Sequence, residues 1–369
     1  MSTTIARGAW CAALLVPSVA LAQLERVTSG ESRAVTARNP LPIERRDETI
    51  ALPWSAVAGL RGAEPGRVRV ADAAGREVLS QLLDVNADGQ PDSLLFQASF
   101  GPNETRSFQL QATAPATRVA SRVAVRHDDP RDDMAWENDL VAFRIYGEGL
   151  KKTPSAMSSN GIDIWLKRTR DLIVEKWYAK GHDAYHIDTG EGADFFDVGT
   201  TLGVGGTALW RGDSLQRADN FKAWKVIATG PIRAVFELRY DPWGDAGLRV
   251  TEVKRVSIDA GQQLYRVEST FQPVGSSAAT LPLATGVVKR PGMVGIMNRE
   301  RPWAWVTGWG PVARKNGGHG ELGTAVLVPR DRLVDWKETG NHYLAVTRAA
   351  AGQPWVQYNG FAWTAAGDV

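Results

Sequence analysis

Three long runs, PIRAVFELRY, LRVTEVKRVSIDAG and QQLYRVESTFQ, follow one another between Pro231 and Gln272, with apolar and polar residues alternating at every second position. Successive side chains of an extended chain point to opposite sides, so Phe236, Leu238 and Tyr240 share one face while Glu237 and Arg239 share the other. A two-faced strand must bury one side. Three in a row with short links therefore demand an antiparallel sheet packed on a second layer. The runs TLPLATGVVKR, ELGTAVLVP and NHYLAVTR continue the pattern, the Gly-rich GTTLGVGGTALWRGD carries no helical period, and no fixed-period repeat is visible. No amphipathic helix longer than about ten residues is predicted. From about Thr28 to Ala112, short alternating segments such as GRVRVADAAG, DSLLFQASF and TRSFQLQA are punctuated by Gly, Pro, Asn and Asp, and the Ala/Thr/Pro-rich ATAPATRVASR behind them reads as a connector. The predicted fold class is all-β, with a small N-terminal antiparallel β-sandwich over residues 23–120 and a large antiparallel sandwich over residues 121–369.

Residues 1–22 read as an export leader: Arg7, the apolar run WCAALLVPSVALA, and Ala20-Leu21-Ala22 before Gln23. The run is too short to span a bilayer and no later stretch is long enough, so the expected protein is periplasmic or secreted, with no membrane contact after cleavage. The only cysteine, Cys11, falls inside the leader, and Gly8-Ala9-Trp10 before it does not form a lipoprotein cleavage site. Neither a disulfide nor thiol chemistry is expected of the mature chain. With 43 basic against 41 acidic residues, the chain is no polycation, which argues against nucleic acid or an anionic membrane as partner. Fourteen tryptophans suit a large core, and exported proteins also use such rings to stack on sugar faces.

Most of the chemistry lies between Asp132 and Phe196. DDMAWENDLVAFRIYG, GIDIWLKRT and LIVEKWYAKGHDAYHIDTGEGADFF bring together two of the five histidines, many carboxylates, Arg144, Lys176, and the aromatics Trp136, Trp165, Trp177, Tyr178 and Tyr185. An apolar core does not need that mixture, whereas a wet, sugar-sized cleft does. His182, His186, Asp188, Glu191 and Asp194 admit two readings, a loose cation site or loop caps paired with Arg144, Lys167 or Lys176. Gly181, Gly190 and Gly192 exclude the helical spacing of a zinc protease. Asp84, Asn86, Asp88 and Asp92, with Gly89, match the first nine positions of a calcium loop, but Leu95 stands where a bidentate Glu belongs. Calcium or another divalent cation, and a metal-free loop held by Asx turns, both remain open. No nucleophile elbow is present, and Gly203-Val204-Gly205-Gly206 lies in an all-β setting rather than a phosphate-binding βαβ unit.

These blocks, together with GPIRAVFELRY, TEVKRVSIDAG and HGELGTAV, resemble in order and spacing the secreted bacterial family known as domain of unknown function 4861 over nearly the whole mature chain. The resemblance implies a β-supersandwich similar to galactose mutarotases and polysaccharide lyases, and a setting among polysaccharide-degradation functions. Similar proteins continue into a Trp-containing tail where this sequence stops at Ala362-Trp363 and Val369.

What it implies for activity is β-elimination on a uronic acid, by a lyase or dehydratase acting on an acidic poly- or oligosaccharide. Such chemistry needs a clamp for the carboxylate, a base near C5–H and an acid for the leaving oxygen. Arg144 and Lys176 are the candidate clamp, with Lys289 a second. Base and acid are sought among His186, Tyr185, Tyr178 and His319, with His186 first because an imidazole titrates near neutral pH. Glu137, Asp188 and Glu191 would orient imidazoles or hold a cation, while Trp136 and Trp177 would stack on the sugar. The alternatives are a glycoside hydrolase using two of the carboxylates, a sugar epimerase, and a non-catalytic carbohydrate-binding protein. Oligomeric state is not legible.

Overall fold

A computed structural model describes residues 21–24, 32–116, 119–152, 160–300, 302–312 and 318–367. Residues 1–20 of the expected leader lie outside the described residues. The chain is all-β and its sheets are antiparallel. Two sheets come wholly from the first third: one contains Ser32–Arg38, Thr105–Gln111 and Arg69–Asp72, and the other orders Arg45–Pro53, Ser93–Phe100 and Ser80–Leu83. They close on a core of their own around Val35, Ile50, Phe96 and Phe108.

The larger body is built on an eight-stranded sheet. Its order runs Ala223–Thr229, Arg233–Asp245, Leu248–Asp259, Leu264–Val274, Pro354–Trp363, Glu321–Pro329, Trp303–Pro311 and Val294–Asn298. The three alternating runs are three consecutive neighbours here, with Phe236 opposite Val256 and Val256 opposite Val267. Two five-stranded sheets cover the inner face. One holds Val123–Asp128, Asp133–Asn138, Ala142–Tyr146, Asp163–Lys167 and Gly192–Ala193, and it packs Trp136 and Phe143 against Phe236, Tyr265 and Phe361. The other is centred on Val204–Arg211, Thr280–Val288 and His342–Ala350. Gln81 ties the small sandwich to the large body by accepting from the backbone N–H groups of Ile232 and Arg233 (2.8 and 2.7 Å). Arg122 bridges Asp47 and Asp139 across the same junction.

A polar belt crosses the middle of this apolar core. Glu252 and Lys254 on the large sheet are fully buried and paired at 3.3 Å, Ser269 donates to Glu252 at 2.7 Å, and Lys254 donates to Thr207 of the opposing sheet at 3.2 Å. Gln357 reaches across to the Gly205 carbonyl at 2.6 Å. Gly205 sits at φ 96°, and a Cβ there would lie 2.3 Å from Asn359, so only glycine lets the sheets approach this closely. Removing one member of a buried pair strands the other, whereas replacing both with apolar groups does not. Lys254→Met is therefore expected to cost about 3–5 kcal/mol in urea unfolding, and the double variant Glu252→Leu/Lys254→Met to recover most of it. Equal destabilisation by both variants would contradict the pairing.

Candidate functional site

The sheet that carries Asp133–Asn138, Ala142–Tyr146 and Asp163–Lys167 uses its two faces differently. Met134, Trp136, Phe143, Ile145, Ile164 and Leu166 enter the main core. The opposite face presents Ala135, Ala142 and Trp165, and the short helix Val174–Lys180 and the turn Ala184–His186 lie over it through Trp177, Tyr178 and Tyr185. This face has two charged centres.

The first centre starts the helix. Glu137 accepts from the Ile173 and Val174 N–H groups (2.8 and 2.7 Å) and from Lys167 Nζ (3.1 Å). Ile173 at the helix start has no side-chain cap of its own, so a carboxylate from the sheet satisfies these backbone donors instead. Burial pushes the Glu137 carboxyl up and the Lys167 ammonium down, while each partner opposes the shift.

The second centre is a buried guanidinium. Arg144 donates through Nη2 to Asp163 (2.5 Å), Asp194 (2.9 Å) and Tyr146 (3.1 Å), through Nε to Asp163 (3.1 Å), and through Nη1 to the Tyr185 hydroxyl (3.0 Å). Tyr146 also donates to Asp163 at 2.6 Å. The surrounding carboxylates raise the Arg144 pKa further despite its burial. Asp194 carries this charge network to the surface. His186 Nδ1 lies 3.0 Å from the Asp194 carbonyl and 3.5 Å from its carboxylate, and the imidazole is 18% exposed. A hydrogen bond from Nδ1–H to that carbonyl fixes the tautomer and makes Nε2 the basic nitrogen.

Four consecutive residues organise the neighbourhood. Asp194 meets Arg144 and His186, the Phe195 ring stacks on His319 (3.9 Å, 20°), and the Phe196 ring lies under the Arg290 guanidinium at 4.3 Å. Arg290 also donates to the Asp197 carbonyl. Desolvation lowers its pKa while Asp197 and Asp163 oppose the shift. Among the described residues no carboxylate comes within ion-pair distance of it. Sequence reasoning favoured its neighbour Lys289, which instead pairs with Glu338 at 2.6 Å.

Several expectations are corrected. Trp136 is fully buried between Phe143, Phe236 and Tyr265, and Trp177 stacks on Trp165 (5.5 Å, 28°), so neither indole faces a sugar. Glu137 caps a helix. The Arg144 N–H groups are engaged inside the protein rather than held open for a substrate carboxylate. Tyr178 and Tyr185 are buried, and desolvation raises both phenols above their usual range, which keeps them protonated. Lys176 and Glu191 pair with each other at the surface, and Asp188 pairs with Arg168.

The loop from Asp84 to Asp92 turns its oxygens towards its own backbone. Asp84 accepts from Ala87, Asp88 and Gly89, Asn86 from Asp88, Asp88 from Gln90, and Asp92 from Val85. Among the described residues no group of three or more His, Cys, Asp or Glu is arranged around a metal position. The Asx-turn reading accounts for this loop. His342 is buried and accepts the Leu202 N–H on Nε2 at 3.0 Å. Burial brings its pKa down to about 4.

Asp133 stands 3.9 Å from Arg144, and burial raises its carboxyl to about 7 despite that cation. The unfolded chain releases this proton near 3.8 and the folded one near 7, so between those values the native state holds the extra proton and stability falls as pH rises. Asp133→Asn mimics the protonated form. It is expected to match wild type in urea unfolding at pH 4 and to gain steadily up to pH 7. An unchanged difference across that range would contradict the assignment.

A protein of Formosa agariphila called uncharacterized protein P7 is 32% identical over 352 residues, covering 90% of this chain and 86% of its own. Among solved structures, a protein in glycosyl hydrolase family 38 from Enterococcus faecalis aligns with TM-score 0.46 and 11% identity, and an alpha-mannosidase of the same organism with 0.43 and 9%. Each alignment covers 91% of this chain, which spans 45% and 44% of those chains. The family model described as domain of unknown function (DUF4861) matches residues 37–369, and the chain belongs to that family.

Proposed function

We propose that the protein is an exported carbohydrate-active enzyme that acts on uronic-acid-containing poly- or oligosaccharides by β-elimination. The observation that carries this reading is the partly exposed His186 imidazole, oriented by Asp194, which the buried Arg144 holds in place. A carboxylate locked behind an imidazole favours the imidazolium that forms when Nε2 takes a proton.

With Tyr178 and Tyr185 buried and the His319 ring laid flat against Phe195, His186 is assigned both proton transfers. Nε2 takes the C5 proton, the electron pair forms the C4–C5 double bond, and the C4–O bond breaks. The imidazolium then returns its proton to the departing oxygen. Both events fall on one face of the sugar, which makes the elimination syn. Arg290 is the candidate clamp for the uronate carboxylate, because its guanidinium rests on a ring and a backbone carbonyl. Neutralising that carboxylate is what acidifies C5–H.

The hydrolase alternative needs two carboxylates facing each other across a gap. Here Asp163 and Asp194 bind one guanidinium, Glu137 caps a helix, and Asp188 and Glu191 are paired with cations.

Uronic-acid oligosaccharides incubated with the protein should develop the ultraviolet absorbance of a C4–C5 unsaturated uronate. His186→Gln should lower kcat by about 10²–10⁴-fold, and Arg290→Ala should act mainly on KM. New reducing ends without the absorbance would mean hydrolysis, and full activity in the His186 variant would remove the assignment.

A further inference from the structure

The outer face of the eight-stranded sheet is charged along one half, where Glu237, Arg239, Arg255, Arg266 and Glu268 form ion pairs. That is the usual solution for the solvated side of an antiparallel sheet. The other half is aromatic. In the strand Trp303–Pro311, Ala304, Val306, Gly308 and Gly310 are buried, whereas Trp303, Trp305, Thr307 and Trp309 face outward. Trp309 is 41% exposed.

Register turns these residues into a groove. One cross-strand row runs Trp305, Leu327, Tyr358 and Arg266, with the Tyr358 ring 5.0 Å from that of Trp303. Two residues along, a second row runs Ile296, Thr307 and Ala325, whose small members form a floor that ends at Gly360, where Leu264 and the Gln263 carbonyl fill the space beside the glycine. The third row has Val294, Trp309, Gly323 and Ala362. The indole rows that wall the floor are about 14 Å apart along the strand, at about 3.4 Å per residue. A Cβ on Gly323 would lie 2.6 Å from the Trp309 ring, so the glycine lets that indole lie flat, and its Nε1 donates to Glu321 at 3.1 Å. A ring held flat with one face outward is a stacking surface rather than filler.

We infer that this groove, on the outer face of the eight-stranded sheet, is a second carbohydrate site that takes a uronate-bearing polysaccharide chain. Indoles suit the apolar faces of pyranose rings and Thr307 and Asn298 supply polar contacts. The charge is matched by Arg330, whose backbone N–H donates to the Pro302 carbonyl beside Trp303 and whose side chain donates to the Arg299 carbonyl, whereas Arg266, beside Tyr358, is already paired with Glu268. Among the described residues Arg330 meets no carboxylate within ion-pair distance. The inference rests on the proposed function for the acidic character of the chain, and its geometry is independent of that reading.

The test is electrophoresis through native gels containing polygalacturonate, alginate or neutral hydroxyethylcellulose. Wild type should be retarded by at least one of the polyuronates and less by the neutral polymer. Trp305→Ala/Trp309→Ala should lose at least five-fold in apparent affinity at unchanged melting temperature. Gly323→Ala, which keeps every indole but displaces one ring, should lose a smaller share. Activity on short uronic-acid oligosaccharides should stay the same in all variants, so a failed site at His186 and a failed groove give different results. Equal retardation of wild type and the double variant, or none in either polyuronate, overturns the inference. So does a dimer in solution that the double variant converts to monomer, since the face would then serve self-association.

Discussion

The electrostatics of the candidate site depend on one buried cation. Arg144 lies on the covered face of a sheet, where an unpaired guanidinium would be prohibitively costly. Asp163 comes from the adjacent strand, Asp194 from the segment that folds back over the face, and Tyr146 and Tyr185 fill the remaining positions. The covering segment is therefore bound by charge as well as by Trp177 and Tyr178. Because Asp194 is both a partner of Arg144 and the neighbour of His186, the buried pairing determines how a surface imidazole is held.

The sheet beneath that site explains why the region is rich in chemistry yet mostly closed. Trp136 and Phe143 anchor one face in the main core, which frees the other for Glu137, Lys167, Arg144 and Asp163. Glu137 starts the short helix and Arg144 holds the loop behind it, so two ionic contacts replace the hydrophobic area that a helix of seven residues cannot supply alone. These buried polar groups join layers. Glu252 and Lys254 do the same between the two large sheets.

Much of the architecture was legible, since period-two alternation from Phe236 to Tyr240 and its successors leaves few alternatives to a stacked antiparallel sheet. The Asp132–Phe196 stretch does gather acids, cations and aromatics in space. Depth was harder to read. In DMAWEN the acids at 133 and 137 flank Ala135, so strand parity alone sets Trp136 on the opposite face, a signal present in the sequence and outweighed by the appeal of an indole beside carboxylates. The pairing of Arg144 with Asp194, fifty residues on, has no local signature, because loop closure rather than spacing creates it. Arg290 was masked by Lys289, and only the direction of each side chain at the strand end separates the clamp candidate from a surface pair.

The orientation of His186 is the claim on which the rest turns. Nitrogen-15 NMR of the imidazole in the intact protein reads it directly. At a pH where the ring is neutral, the account predicts a slowly exchanging proton on Nδ1, hydrogen-bonded to the Asp194 carbonyl, and a lone pair on Nε2. A proton on Nε2, or an averaged spectrum typical of a freely rotating surface histidine, would contradict it.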